Sequence, residues 1–180
     1  MPTVSFPIVY GSAAFKLERP AEDGATYRWY FYVRGVNGQD LSPVVGKVVF
    51  MLHPTCSIPT PEVTGYPFET SQNGWGEFNA AIDVHFKLPG LPKITVLHSL
   101  RFYPEGASTP VMPGGPVVSE TYDEVVFRDP PPEFVEAMRR VLASPPQAHV
   151  LTKYWTPKFD EATHLASVAK AHAWVKRECA

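Results

Sequence analysis

The sequence predicts an all-β fold, a β-sandwich followed by one or two C-terminal α-helices. Three observations carry that expectation. Two stretches alternate with period 2: Phe78, Ala80, Ile82, Val84 and Phe86 against Asn79, Ala81, Asp83, His85 and Lys87, and then Ile94, Val96, His98, Leu100 and Phe102. Alternation of this kind marks half-buried antiparallel strands. Twenty prolines and twelve glycines in 180 residues cut the chain into short elements, and a 13% aromatic content favours strands over helices. The period changes after Asp129-Pro130-Pro131-Pro132, where Phe134, Met138, Val141 and Leu142 fall on one helical stripe.

Taken in order, residues 27–36 (YRWYFYVRGV) are dense in aromatic and β-branched side chains and read as a strand. After a turn at 38–43, residues 44–53 (VVGKVVFMLH) form a second, nearly continuous apolar run and so a central strand. Prolines at 54, 59, 61 and 67 impose an irregular connection, with a short edge strand over 63–69. Gly74-Trp75-Gly76 reads as a turn with room for positive φ at either glycine. The two alternating strands follow, then a Pro/Gly-rich loop over 104–116 and a last extended stretch over 117–127. About seven short strands suggest a sandwich. Proline suits the first turn of the helix that comes next, and Ser144-Pro145-Pro146 ends it. A second helix is expected from about Lys158 to Arg177. Chain character changes at 130, dividing a sandwich of residues 1–130 from a helical extension of residues 131–180.

Bulk properties exclude several classes. A formal net charge of −2 provides no basic field for gripping phosphates, so no direct sequence-specific nucleic-acid partner is expected. Two distant cysteines, Cys56 and Cys179, make neither a disulfide framework nor a structural zinc site. No apolar run approaches the roughly 20 residues needed to span a bilayer, and no secretory signal opens the chain. The expectation is an intracellular protein with no membrane partner and no cofactor.

Catalytic motifs are equally sparse. There is no G-x-S-x-G turn, no H-E-x-x-H pair and no phosphate-cradling loop. Cys56 with His53 three residues earlier forms a weak dyad, because i and i+3 on an extended segment point to opposite faces. His53, His85 and His98 read more simply as strand histidines than as a metal set. The informative feature is Trp75 between two glycines. A large indole on a turn has no evident core role, and glycines beside it let another backbone approach and leave main-chain N–H groups free. The competing reading folds that tryptophan back over the end of the sandwich.

Several motifs together resemble the YEATS domain family. Phe6-Pro7-Ile8-Val9-Tyr10-Gly11 resembles its opening strand, residues 29–35 (WYFYVRG) its W-x-V-Y-V-R-type strand, Leu52-His53-Pro54-Thr55 its L-H-x-S/T loop and Asn73-Gly74-Trp75-Gly76-Glu77-Phe78 its G-W-G-E-F loop. Residues 117–130 are similar to the continuation found in the branch serving histone-acetyltransferase and histone-variant-exchange complexes. The likeness covers about residues 6–132.

The resemblance implies an immunoglobulin-like sandwich that reads acetyl- or crotonyl-lysine on the histone H3 tail, in a nuclear chromatin complex involved in transcription regulation, and not an enzyme. An acylated lysine carries no charge, so its desolvation costs little and its flat amide slides between aromatic faces. By resemblance Trp75 forms one wall and its backbone N–H meets the acyl oxygen. Thr55 makes the second amide contact, His53 orients the Thr55 loop, and Gly74 and Gly76 permit close approach. Phe78 packs beneath, Tyr32 lines the floor and His98 meets the peptide flanking the lysine. Cys56 departs from the pattern, standing where the family has Phe or Tyr; the expectation is weaker acetyl-lysine binding or a preference for a bulkier acyl group. The alternative is a scaffold subunit with weakened or lost acyl-lysine binding that acts through its C-terminal helices. A coiled coil often follows the domain in that branch. Here the short 158–177 helix, without sustained heptads, is expected to pack back on the sandwich, burying Trp155, Phe159 and Trp174, or to bind another subunit.

Overall fold

The computed structural model describes residues 3–103, 115–155 and 161–178. Eight strands form two antiparallel four-stranded sheets. The first contains β1 (Thr3–Lys16), β2 (Tyr27–Arg34), β5 (Phe68–Gly74) and β8 (Val117–Arg128), in the order β5-β2-β1-β8. The second contains β3 (Val45–Met51), β4 (Glu62–Val63), β6 (Asn79–Phe86) and β7 (Ile94–Ser99), in the order β4-β3-β6-β7. Inner-face residues of both sheets, among them Phe6, Ile8, Trp29, Phe31, Phe50, Ile82 and Leu100, make one core, as the period-2 pattern requires.

The alternation over 78–86 and 94–102 is realised as β6 and β7. The longest strand, β1, has no matching signal in the residue pattern. Pro7 and the small residues Gly11, Ser12, Ala13 and Ala14 mask it. Pro7 is tolerated because β1 pairs with β2 only from Val9 onward; before that it is paired with β8 alone. The segment expected to form one edge strand over 63–69 is instead the two-residue β4 and, beyond a turn, β5.

Helix α1 (Pro132–Ala143) buries Phe134, Met138 and Val141 in the sandwich core, with Phe134 edge-on to Phe127 at 5.2 Å. Leu142, assigned to the same stripe, is exposed. The chain then returns across the outer face of the first sheet. There Arg34 makes a bidentate pair with Glu120 (2.9 and 2.8 Å), Trp155 lies over the guanidinium at 4.6 Å, and His149 stacks on Trp155. Trp155 therefore packs on the sandwich as expected. The described side chains of α2 (Glu161–Glu178) are exposed, Trp174 included. This corrects the expectation that Trp174 is buried against the sheets. Phe159, Cys179 and most of the 104–116 loop lie outside the described residues.

Candidate ligand-binding site at the end of the sandwich

A cavity of about 160 Å³ opens at one end of the sandwich. His53, Thr55 and Cys56 line it from the loop after β3, and residues 73–78 line it from the end of β5 and the turn into β6. Trp29 of β2 also lines it and is the one buried member of the set. Seven of the nine residues expected to form the site, His53, Thr55, Cys56, Gly74, Trp75, Gly76 and Phe78, thus meet around one space.

The first loop is held by its own polar groups. The Cys56 N–H donates to the His53 carbonyl at 2.9 Å, closing a tight turn where an extended segment was expected. The Thr55 hydroxyl lies 2.8 Å from His53 Nδ1, and the Thr55 N–H donates to the same nitrogen at 3.3 Å. Nδ1 therefore acts as an acceptor and the ring proton sits on Nε2. With its hydrogen given to Nδ1, Thr55 Oγ1 keeps lone pairs for an incoming N–H. Farther along, Gln72 clips this loop to β5: its Nε2 donates to the Ile58 carbonyl at 2.8 Å, and its Oε1 accepts the Ile58 N–H at 3.2 Å.

The second loop is fastened at its base and bare at its tip. Glu77 accepts the Phe102 N–H at 2.6 Å and lies 3.5 Å from Arg101. Phe78 packs against Trp29 and Phe31 at 5.5 and 5.7 Å between ring centres. Trp75 is 65% exposed, so it is not folded back over the sandwich end. Gly74 and Gly76 do not adopt positive φ, which corrects that one of the two reasons expected for them. Gly74 is required by space: a Cβ there would stand 2.8 Å from Trp29 Nε1.

Two expected site residues lie elsewhere. Tyr32 sits on the outer face of the first sheet and donates to Glu120 at 2.8 Å; burial and the Glu120 charge push its hydroxyl far above the ordinary phenol range. In a strand, neighbours two apart share a face, so Tyr27, Trp29, Phe31 and Val33 point inward and Tyr32 cannot. The cavity's inner wall is Trp29, a residue the sequence pattern offered by its parity but did not single out. His98 is inward-facing on β7, hydrogen-bonded to Ser12 at 3.0 Å and edge-on to Tyr10 and Phe31. Burial, helped by the Arg101 charge, pushes its pKa down to about 4, so it is a neutral core residue, and it does not line the cavity. Asn73 and Glu77 also line the cavity without having been foreseen.

Burial pushes the Cys56 thiol up, with a backbone hydrogen bond from His53 pulling it partly back, and a raised thiol pKa means less thiolate. The imidazole that would activate it is turned to Thr55. No group of three or more potential metal ligands occurs among the described residues.

A two-sheet sandwich carrying an end cavity between an L-H-x-T turn and an exposed-tryptophan turn defines a small-ligand or side-chain binding module. The comparisons with known proteins agree on which one. The YEATS family model matches residues 24–104. The chain is 44% identical over 133 residues to transcription initiation factor TFIID subunit 14b of Arabidopsis thaliana, a match covering 73% of this chain and 50% of that protein. It is 39% identical to the AF-9 homolog of Eremothecium gossypii, covering 76% of this chain and 68% of the relative. Among solved structures, the Yaf9 YEATS domain bound to H3K27ac superposes with a TM-score of 0.65 at 35% identity, covering 77% of this chain and 94% of that one. The crystal structure of the yeast AF-9 homolog Yaf9 likewise gives 0.65 at 33% identity, covering 82% and 97%. The chain belongs to the YEATS family, and its fold is the family's immunoglobulin-like sandwich. It spans 50% of the Arabidopsis protein's length and 62% of the Schizosaccharomyces pombe AF-9 homolog's.

Proposed function

We propose that this protein is a histone reader that binds an acylated lysine of the H3 tail in the end cavity, as a nuclear subunit of a chromatin complex. The observation that carries the reading is the pairing of an exposed Trp75 with a Thr55 hydroxyl whose proton is engaged by His53. An acyl-lysine amide is flat and uncharged, with one N–H donor and one oxygen acceptor. The Thr55 oxygen takes the N–H, the backbone N–H at Trp75 meets the oxygen, and the indole covers the amide face. A free lysine ammonium would have to shed its hydration to enter this space, a cost the uncharged amide largely escapes. The likeness to Yaf9 structures, one titled as bound to H3K27ac and one as recognising an H3K122suc peptide, supports the same reading.

Chemical-shift mapping tests it. Titration with an acetylated or crotonylated H3 peptide is expected to move the amides of His53, Thr55, Cys56 and residues 74–78 and the Trp75 indole resonance, and the unmodified peptide is expected to leave them in place. Equal shifts with both peptides, or shifts confined to other parts of the surface, would refute the proposal.

A second role is favoured by one observation, the exposure of Leu165, Val168 and Trp174 on α2. This helix is the part of the chain suited to dock another subunit. Removing residues from 161 onward is expected to leave peptide affinity unchanged while weakening complex assembly.

A further inference from the structure

The end cavity makes no use of the sheet edges, where strands stop pairing and main-chain groups face outward. The edge strands are β5 and β8 in the first sheet and β4 and β7 in the second. Three of them are guarded. β4 is two residues long and carries Glu62, bound to Lys47. β5 carries Glu69 and is tied through Gln72 to Ile58. β8 carries Glu120, Asp123 and Glu124, so a copy of β8 laid against it would set like charges side by side. β7 (ITVLHS) has no such guard. It contains no proline and no bulge in its register with β6, and its one titratable side chain, His98, is neutral and faces the core.

The free groups of β7 can be assigned. The Leu100 N–H donates to the Phe78 carbonyl. By alternation, residues 94, 96 and 98 also bond to β6, and the N–H and C=O of Thr95, Leu97 and Ser99 point away from it. The side chains of these three stand on the outer face of the sheet. The Thr95 hydroxyl is turned back to Asp83 and the Ser99 hydroxyl to Asn79, each at 2.6 Å. Leu97 is 74% exposed, more than any other large apolar side chain among the described residues. It pairs with Ala81, which pairs with the exposed Met51. An apolar row therefore crosses β3 and β6 and runs out at the free edge.

We propose that β7 is a self-association edge: it pairs antiparallel with β7 of a second copy of this chain, across a two-fold axis at Leu97, and joins the two second sheets into one. The sequence of the edge is what selects a second copy as the occupant. In this register Leu97 stands opposite Leu97 of the second copy and Thr95 opposite Ser99, so no charge meets a like charge within the strand. The same register places every free N–H and C=O of Thr95, Leu97 and Ser99 opposite a free partner. The two apolar rows become one, running from Met51 of one copy to Met51 of the other. Just beyond the strand ends Lys93 comes opposite Arg101. Each is already held by a carboxylate of its own chain, Lys93 by Asp83 and Arg101 by Glu77, and this like-charged pair confines the ladder to residues 94–99. Because the strands run antiparallel, the two end cavities fall at opposite ends of the joined sheet.

Sedimentation velocity of the full chain tests this. The interface is small and association is correspondingly weak, so a dimer is expected to emerge as the concentration rises to about 100 μM. Leu97→Lys sets like charges face to face on the axis and is expected to weaken association at least about tenfold. Leu97 is exposed, so the melting temperature of that variant should stay where it was. Leu165→Lys on α2 is expected to leave the dimer as it is. In Leu97→Cys the two new thiols face each other with Cα atoms about 5.5 Å apart, a spacing that a disulfide spans. Diamide should therefore link the two copies through position 97 much faster than it links Ile58→Cys, which is exposed elsewhere. A chain still monomeric at about 500 μM, well above the range of weak interfaces, has some other occupant on this edge or none, and overturns the proposal. So does a dimer that survives Leu97→Lys or is lost in Leu165→Lys, and so does a disulfide at position 97 that forms no faster than the Ile58→Cys control.

Discussion

The two loops that flank the cavity are built on opposite principles. The 53–56 loop is ordered by its own side chains: His53 engages Thr55, and the Cys56 N–H closes the turn onto the His53 carbonyl. The 74–78 loop is ordered from below, by Glu77 on Phe102 and by Phe78 on the core, and leaves Trp75 in solvent. One loop fixes a hydrogen-bonding atom in place; the other presents a broad apolar face. A flat amide needs both, since hydrogen bonds set its orientation while stacking and area burial supply most of the attraction. The contrast also implies different sensitivities to mutation, because residues exposed in the free protein can be changed without disturbing the fold.

The largest effect is expected from Trp75→Ala. It removes the exposed face, and loss of acyl-peptide affinity by at least about tenfold should come with a melting temperature nearly unchanged. A large drop in melting temperature would mean that Trp75 serves the fold. Thr55→Val is close to threonine in shape and removes both the acceptor and the hydroxyl contact to His53, leaving the Thr55 N–H on His53 Nδ1. One hydrogen bond is worth about 0.5–1.5 kcal/mol, so a roughly three- to tenfold loss is expected by calorimetry. The loss should be absent for unmodified peptide. Cys56→Phe sharpens the comparison in the other direction. A second aromatic wall should strengthen acetyl-lysine binding by about 0.5–1.5 kcal/mol and narrow the acceptance of bulkier acyl groups; a competition series of acetyl and butyryl peptides reads both. The smallest effect belongs to Gln72→Ala. It unclips the first loop at Ile58 without touching the cavity, so affinity should fall no more than about threefold, with faster amide exchange over residues 55–58 as the direct readout.

How far the sequence reveals all this differs from element to element, for physical reasons. Strands β6 and β7 are legible because one face is buried and the other wet, so the alternation is written in residue type. β2 is harder. Its outer face is covered by the returning chain at Leu151 and Trp155, so Tyr30 and Tyr32 are aromatic there while Trp29 and Phe31 are aromatic within. With both faces apolar, parity alone separates them, and Tyr32 is mistaken for the floor that Trp29 provides. β1 shows in the family likeness over 6–11 but not in the residue pattern, because a strand between two neighbours at close approach uses small residues: a Cβ at Gly11 would stand 2.4 Å from the Ser119 carbonyl oxygen. His98 illustrates the reverse error. The residue pattern reads it as an ordinary strand histidine and only the family likeness assigns it to a peptide; Ser12 satisfies it inside the core. The loop residues His53, Thr55 and Trp75 are legible because their chemistry is specific to their motifs; the necessity of Gly74 is not, because it arises from the Trp29 ring across the β2–β5 pair.

In the proposed function Trp75 and Thr55 together read the acyl amide. Its most direct test is a calorimetric titration of the chain, and of Trp75→Ala, with H3 peptides bearing acylated and unmodified lysine. Saturable binding of the acylated peptide by the unaltered chain is expected, at least about tenfold tighter than that of the unmodified one and lost in the variant. Binding that ignores the acyl group, or that survives the removal of Trp75, would contradict it.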